Sequence, residues 1–274
     1  MPDVSSLPLA CIGTLENFNH RLNFWRRVPG HERHRFWETD NPDRPYSHKA
    51  SDVVQFTKAN CLAATAAHNS KPLVEFKRKL YTDWDMNKTS PFEGMQLAQL
   101  LSEYLVWIDR LFFFGLITRP TTREGKLVAG RPIIKLRFEN ELRDSDGNDL
   151  NGVFIDSSGE LCVNMLEPSG KLTAFNKAVC VIVHELTHVY LHILTRDSSS
   201  ASYYREIWDN GHGVQFYELL LFMLTQLSKF MPTIPYFEEL ATDTRNDLHA
   251  ALARPAVSEA VARSLIYAKP AAVA

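Results

Sequence analysis

The sequence predicts an α+β fold, with helices at both ends, a small β-sheet or hairpin in the middle, and one buried helix that carries histidines. Three observations support this. "VIVHELTHVYLHIL" (181–194) is largely apolar yet holds His184, His188 and His192 at steps of four. "RPIIKLRFE" (131–139) alternates, and "GVFID" and "ELCVNML" flank Ser157, Ser158 and Gly159 as hairpin strands do. With 274 residues, 45% apolar and 23% charged, the chain can bury a sizeable core around such elements.

Residues 20–49 interleave seven Arg/Lys and four His with five aromatics, against four acids. Pro29, Pro42 and Pro45 oppose a long helix there. The segment reads as an irregular arm that packs Trp25, Phe36 and Trp37 on the domain. A nucleic-acid contact is the alternative, since aromatics stack on bases and Arg pairs with phosphates. Residues 51–69 and 72–81 read as helices. "NKTSPFEG" (87–94) reads as a helix start, with Ser90 as cap, Pro91 at the first helical position and Glu93 three residues past the cap. From Leu97 to Phe112, apolar residues recur in steps of three and four and make one wide face, with Gly115 as the stop.

Ile134, Leu136 and Phe138 define one side of the strand at 131–139, and a polar loop (141–151) leads into the hairpin. Thr173 is the expected cap of the helix in 170–194, which is apolar almost all round from Ala178 to Val183 and therefore central. A second apolar helix, 212–230, opens at His212 and Gly213 and ends at Pro232 and Pro235. Two weaker helices, about 236–253 and 256–268, follow.

The net charge of −2 leaves no global basic footprint for nucleic acid. Cys11, Cys61, Cys162 and Cys180 form no C-x-x-C pair, which argues against a zinc ribbon and a dense disulfide framework and for free thiols. No basic residue precedes Arg21, so the N-terminus reads poorly as a signal peptide. The longest apolar run, "LVWIDRLFFFGLI", is interrupted by Asp109 and Arg110 and is too short for a membrane span. The expectation is an intracellular protein of nucleus or cytoplasm, with no membrane partner.

His184 and His188 lie one above the other on a helix, about 6 Å apart along the axis, so both can aim a nitrogen at one Zn²⁺. Glu185, rotated by about 100°, can reach a water in the open position without displacing it. That is the logic of H-E-x-x-H, with Glu185 as general base. On an otherwise apolar helix, unpaired polar side chains would cost several kcal/mol, which favours a metal. His192, a further four residues on, lies too far along the axis to share the ion and is read as orienting a ligand or capping the helix. A metzincin-like third histidine would fall at Leu194, so that pattern fails. The downstream candidates for the third ligand are Glu206, His212 and Glu218. His212 sits at a helix start beside Gly213, which allows close backbone approach, and Phe216 can anchor that start in the core.

H-E-x-x-H followed after 23 residues by "GHGVQF" resembles the SprT-like, or Spartan-like, metalloprotease family, whose second motif is H-G-x-x-F/W. "LVWIDRLFFFGLI" looks like the helix that precedes that family's core, and "NGVFIDSSGELCVNMLEP" like its hairpin. The resemblance covers about residues 91–230. It implies a zincin-like core at 91–232, between an N-terminal extension (1–90) and a C-terminal helical one (233–274). It also implies one Zn²⁺ per chain on His184, His188 and His212, Glu185 as catalytic base, and a protein or peptide substrate. Action on DNA-crosslinked or DNA-bound proteins would follow from the DNA-repair members, although neither a zinc ribbon nor a strongly basic segment follows the core here.

Within that reading, Tyr203, Tyr204 and Tyr217 are candidate oxyanion stabilisers. Ligand imidazoles usually donate their other N–H to an acceptor, for which Glu206, Asp209 and Glu218 are candidates. The strand holding Leu161, Val163 and Met165 is a candidate open edge for pairing with an extended substrate, an internal strand being the alternative. A catalytically silent, zinc-stabilised protein- or DNA-binding domain is the competing reading. A structural site normally fills all four zinc positions with protein ligands and has no need of Glu185. A secreted metallopeptidase is a third, opposed by the N-terminus and the cysteines.

Overall fold

The computed structural model describes residues 50–65, 70–115, 117–118, 122–123, 126–127, 134–144, 146–155, 159–195 and 212–253. Four helices come first: α1 (Ala50–Asn60), α2 (Leu62–Thr65), α3 (Lys71–Thr89) and α4 (Gly94–Phe112). The strands follow as β1 (Thr122–Arg123), β2 (Lys126–Leu127), β3 (Lys135–Glu139), β4 (Gly152–Ile155) and β5 (Glu160–Asn164). The last helices are α5 (Phe175–Leu194), α6 (Val214–Phe230) and α7 (Pro235–Ala253). The fold is thus α+β, with seven helices and one three-stranded sheet beside a two-stranded ribbon among the described residues. The arm at 20–49, Ser157 and Ser158 of the hairpin turn, and the helix expected at 256–268 lie outside them.

α5 is apolar nearly all round because it is packed on every side. Its Phe175, Val179, Ile182, Leu186 and Val189 are buried, against Leu101, Tyr104 and Ile108 of α4 and Phe216, Leu220 and Met223 of α6 in one core. Each such side chain contributes about 1.5–3 kcal/mol on burial. α1 and α3 add Val53, Val54, Leu73, Phe76 and Leu80 to the same core, and α7 adds Phe237 and Ala241. The helices expected as extensions on either side of 91–232 therefore share its interior.

Buried polar pairs fix how these helices sit. Thr57 Oγ1 and Tyr190 OH lie 3.0 Å apart and join α1 to α5. The Tyr104 hydroxyl donates to Asp83 at 2.8 Å, and Lys79 approaches the same carboxylate at 3.0 Å, joining α3 to α4. Asp109, fully buried, accepts the Thr118 N–H at 2.7 Å and the Thr118 hydroxyl at 2.6 Å, which folds the chain back after α4. Gly115, the expected stop, has φ 67° and donates its N–H to the Asp109 carbonyl at 2.9 Å.

Several local expectations change. The helix expected at 72–81 runs to Thr89, and Ser90 closes it: the Ser90 N–H donates to the Met86 carbonyl at 2.8 Å. The start of α4 is capped instead by Glu93, whose side chain accepts the Gln96 backbone N–H while Gln96 Oε1 accepts the Glu93 N–H at 3.1 Å. Thr173 does not cap α5, because its hydroxyl bonds the Asn164 carbonyl at 3.3 Å; Ala174 takes that position. Pro235 opens α7 rather than ending α6.

The strand expected as an open edge is central. β5 pairs in parallel with β3 and antiparallel with β4, giving the order β3-β5-β4. Leu161 and Val163 are fully buried and Met165 is 5% exposed, so these residues belong to the core. The Asn164 N–H donates to the Asn151 carbonyl at 2.9 Å. With Gly152 opposite Val163 and Phe154 opposite Leu161, antiparallel alternation turns the N–H and C=O groups of Gly152 and Phe154 away from β5, toward the outer edge of β4.

Candidate metal centre

His184 and His188 project from one face of α5, one turn apart, and His212 arrives from the residue before the α6 cap. Their Nε2 atoms form a near-equilateral triangle, with His184 and His188 3.2 Å apart and His212 3.0 Å from each. A neutral imidazole nitrogen is either donor or acceptor, never both. In a triangle, then, at most two of the three contacts can be N–H···N bonds, and the third sets like against like. A single cation accepting three lone pairs removes the conflict. Tetrahedral zinc–nitrogen bonds of about 2.0–2.1 Å place ligand nitrogens about 3.3 Å apart, close to the separations found. The three residues could hold a metal ion, and imidazole donors suit zinc, copper, iron or nickel.

His212 is delivered by the way α6 begins. Gly213, buried and extended at φ −76°, ψ 178°, caps the helix, and its carbonyl accepts the Tyr217 N–H at 3.2 Å. One turn in, the buried ring of Phe216 contacts all three imidazoles, with centroids 4.3 Å from His188, 4.7 Å from His212 and 4.9 Å from His184. Tyr217 stacks beside His212 at 6.0 Å.

The surroundings favour neutral, ligating imidazoles. Burial pushes His184 down to about 3, helped by the nearby charge of His212. His188 is driven well below its ordinary value by burial and then by the other histidines. Glu185 is 4% exposed, and burial pushes it up to about 8, opposed by a hydrogen bond from the Phe154 backbone N–H. That N–H is one of the outward-facing groups of β4, so the Glu185 carboxylate lies toward the outer edge of that strand.

His184, Glu185, His188 and His212 are thus brought together. His192 stays one turn further along α5, its ring edge-on to Phe154 at 5.7 Å. Glu218 is half-buried on α6. Tyr203, Tyr204, Glu206 and Asp209 lie outside the described residues. The part played by β4 was missed from sequence. Its signal is Gly152, since a glycine inside a strand marks close approach of another group. Compared with known proteins, the chain matches no family model, and no curated protein or solved structure matches it significantly.

Proposed function

We propose that the chain is a zinc-dependent endopeptidase of the SprT-like type, its core at 91–232 being the zincin-like unit. One observation carries the reading: three converging imidazole nitrogens, with a buried carboxylate on the residue that follows the first of them. The spacing of the two histidine motifs supports the family, and the three-histidine donor set supports zinc, one per chain. Held by His184, His188 and His212, a zinc ion would supply Lewis acidity to polarise the scissile carbonyl and to acidify a water.

The chain's own residues do the rest. Glu185 takes the proton of the attacking water and hands it to the leaving amine. An extended substrate pairs with the outer edge of β4, through the Gly152 N–H and the Gly152 and Phe154 carbonyls, rather than with β5. Recognition through backbone groups gives loose sequence preference, so flexible protein segments are the expected substrates. Tyr217, stacked on His212, is the described candidate for assisting the developing oxyanion. Action on DNA-crosslinked proteins rests on the family resemblance alone, and a location in nucleus or cytoplasm on the N-terminal and cysteine pattern. No described helix is long and apolar enough to cross a membrane.

Digestion of casein tests the proposal. The wild type should cleave it, and Glu185→Gln should keep its metal and lose cleavage. Zinc-loaded wild type that leaves casein and other unfolded chains intact would favour the non-catalytic reading.

A further inference from the structure

Strand β4 does more than border the site. A Cβ placed on Gly152 would lie 2.5 Å from Val181 Cγ1 and 3.0 Å from both Cγ and Oε1 of Glu185. Carbon atoms in contact pack at about 3.5–4.0 Å, so any side chain at 152 would collide with α5. The requirement is spatial rather than conformational, since Gly152 is not among the residues of positive φ. Two residues on, the Phe154 N–H faces the Glu185 carboxylate and favours its charged form. The acid is therefore held between two points of one strand, a bare Cα below and an amide donor beside it.

The geometry points to Gly152 as a positioning residue for Glu185: its missing side chain lets the carboxylate lie against the β4 backbone, within reach of the Phe154 amide. This rests on the reading of Glu185 as the base. A methyl group at 152 pushes Glu185 off that amide. Residues 152 and 154 share the sheet face that meets α5, so the methyl points at the helix and leaves the outer edge of β4 free for substrate. The effect should fall on kcat, with KM nearly unchanged.

Because Gly152→Ala alone also strikes Val181, the experiment is run in a Val181→Ala background, which opens room for the methyl. Val181→Ala by itself should retain wild-type activity. Val181→Ala/Gly152→Ala should bind one zinc per chain with unchanged affinity and lose about a hundredfold in kcat. A double variant with the kcat of its Val181→Ala parent overturns the proposal. A second measurement needs no activity. The fall in Tm caused by Gly152→Ala should be clearly smaller when Glu185 is also alanine, and equal falls with and without Glu185 overturn the contact. If the wild type hydrolyses nothing, the endopeptidase reading fails, and the Tm cycle still decides whether position 152 places Glu185.

Discussion

The ring of Phe216 lies against that of His188, with centroids 4.3 Å apart and planes 23° from parallel. The same ring meets His184 and His212 nearly edge-on, at 69° and 67°. Since Phe216 is fully buried, it forms a dry floor that fixes the tilt of all three imidazoles. Phe216→Ala should lower unfolding free energy by about 3–5 kcal/mol and weaken zinc binding about 10–100-fold, as losing an outer support of a metal ligand does. Phe216→Leu should keep most of the stability and lose part of the affinity. Urea unfolding and competition with a chelating dye measure the two effects separately.

The metal-free protein should be most stable near pH 6.5. His184 and His188 have depressed values in the folded state, so the stability they contribute is present above their unfolded value near 6.5 and is lost as pH falls. Glu185 is raised to about 8, so its contribution is present below its unfolded value and is lost as pH rises toward 8. Below about pH 6.5 the two histidines therefore cost stability on acidification, offset in part by the carboxyl. Glu185→Gln should steepen the acid limb and flatten the alkaline one. Urea titrations in EDTA across this range measure both limbs.

Metal binding at pH 7 should release about one proton, and that proton should come from Glu185. His184 and His188 are held neutral by burial, whereas a carboxyl pushed up to about 8 is largely protonated until a cation arrives beside it. Calorimetry in two buffers of different ionisation enthalpy counts the proton. Glu185→Gln should bring the count close to zero.

Helix α1 should matter to the site through one hydroxyl pair. Thr57→Val keeps the shape at a fully buried position but leaves Tyr190 OH without the partner it meets at 3.0 Å. The expected cost is about 1–3 kcal/mol, read by urea unfolding. Thr57→Ser should recover most of it.

Two corners of the metal triangle were legible because helix geometry converts a four-residue spacing into a shared face; the third stood open among Glu206, His212 and Glu218 until the family resemblance singled out His212 beside Gly213. Other features depend on contacts that are not local. Ser90-Pro91 suits a helix start, yet a proline just beyond a C-cap is also common. The buried Leu73, Phe76 and Leu80 of α3, and the Glu93–Gln96 capping pair, settle it as an end. The alternation in 131–139 identifies a strand but not its partner. β3 pairs directly and in parallel with β5, although β4 comes between them in the sequence, and that pairing moves Leu161 and Val163 from an expected edge to the centre. Asp109 reads as an interruption of an apolar run. In the fold its carboxylate is the acceptor around which residues 117–118 turn.

The central claim is that one ion is shared by His184, His188 and a residue from a separate helix start, His212. Zinc content per chain, measured by mass spectrometry after dialysis for wild type and His212→Ala with helicity monitored, tests it most directly. The account predicts about one zinc in the wild type and only traces in His212→Ala with its helices intact. A folded His212→Ala protein that keeps a full equivalent of zinc would contradict it.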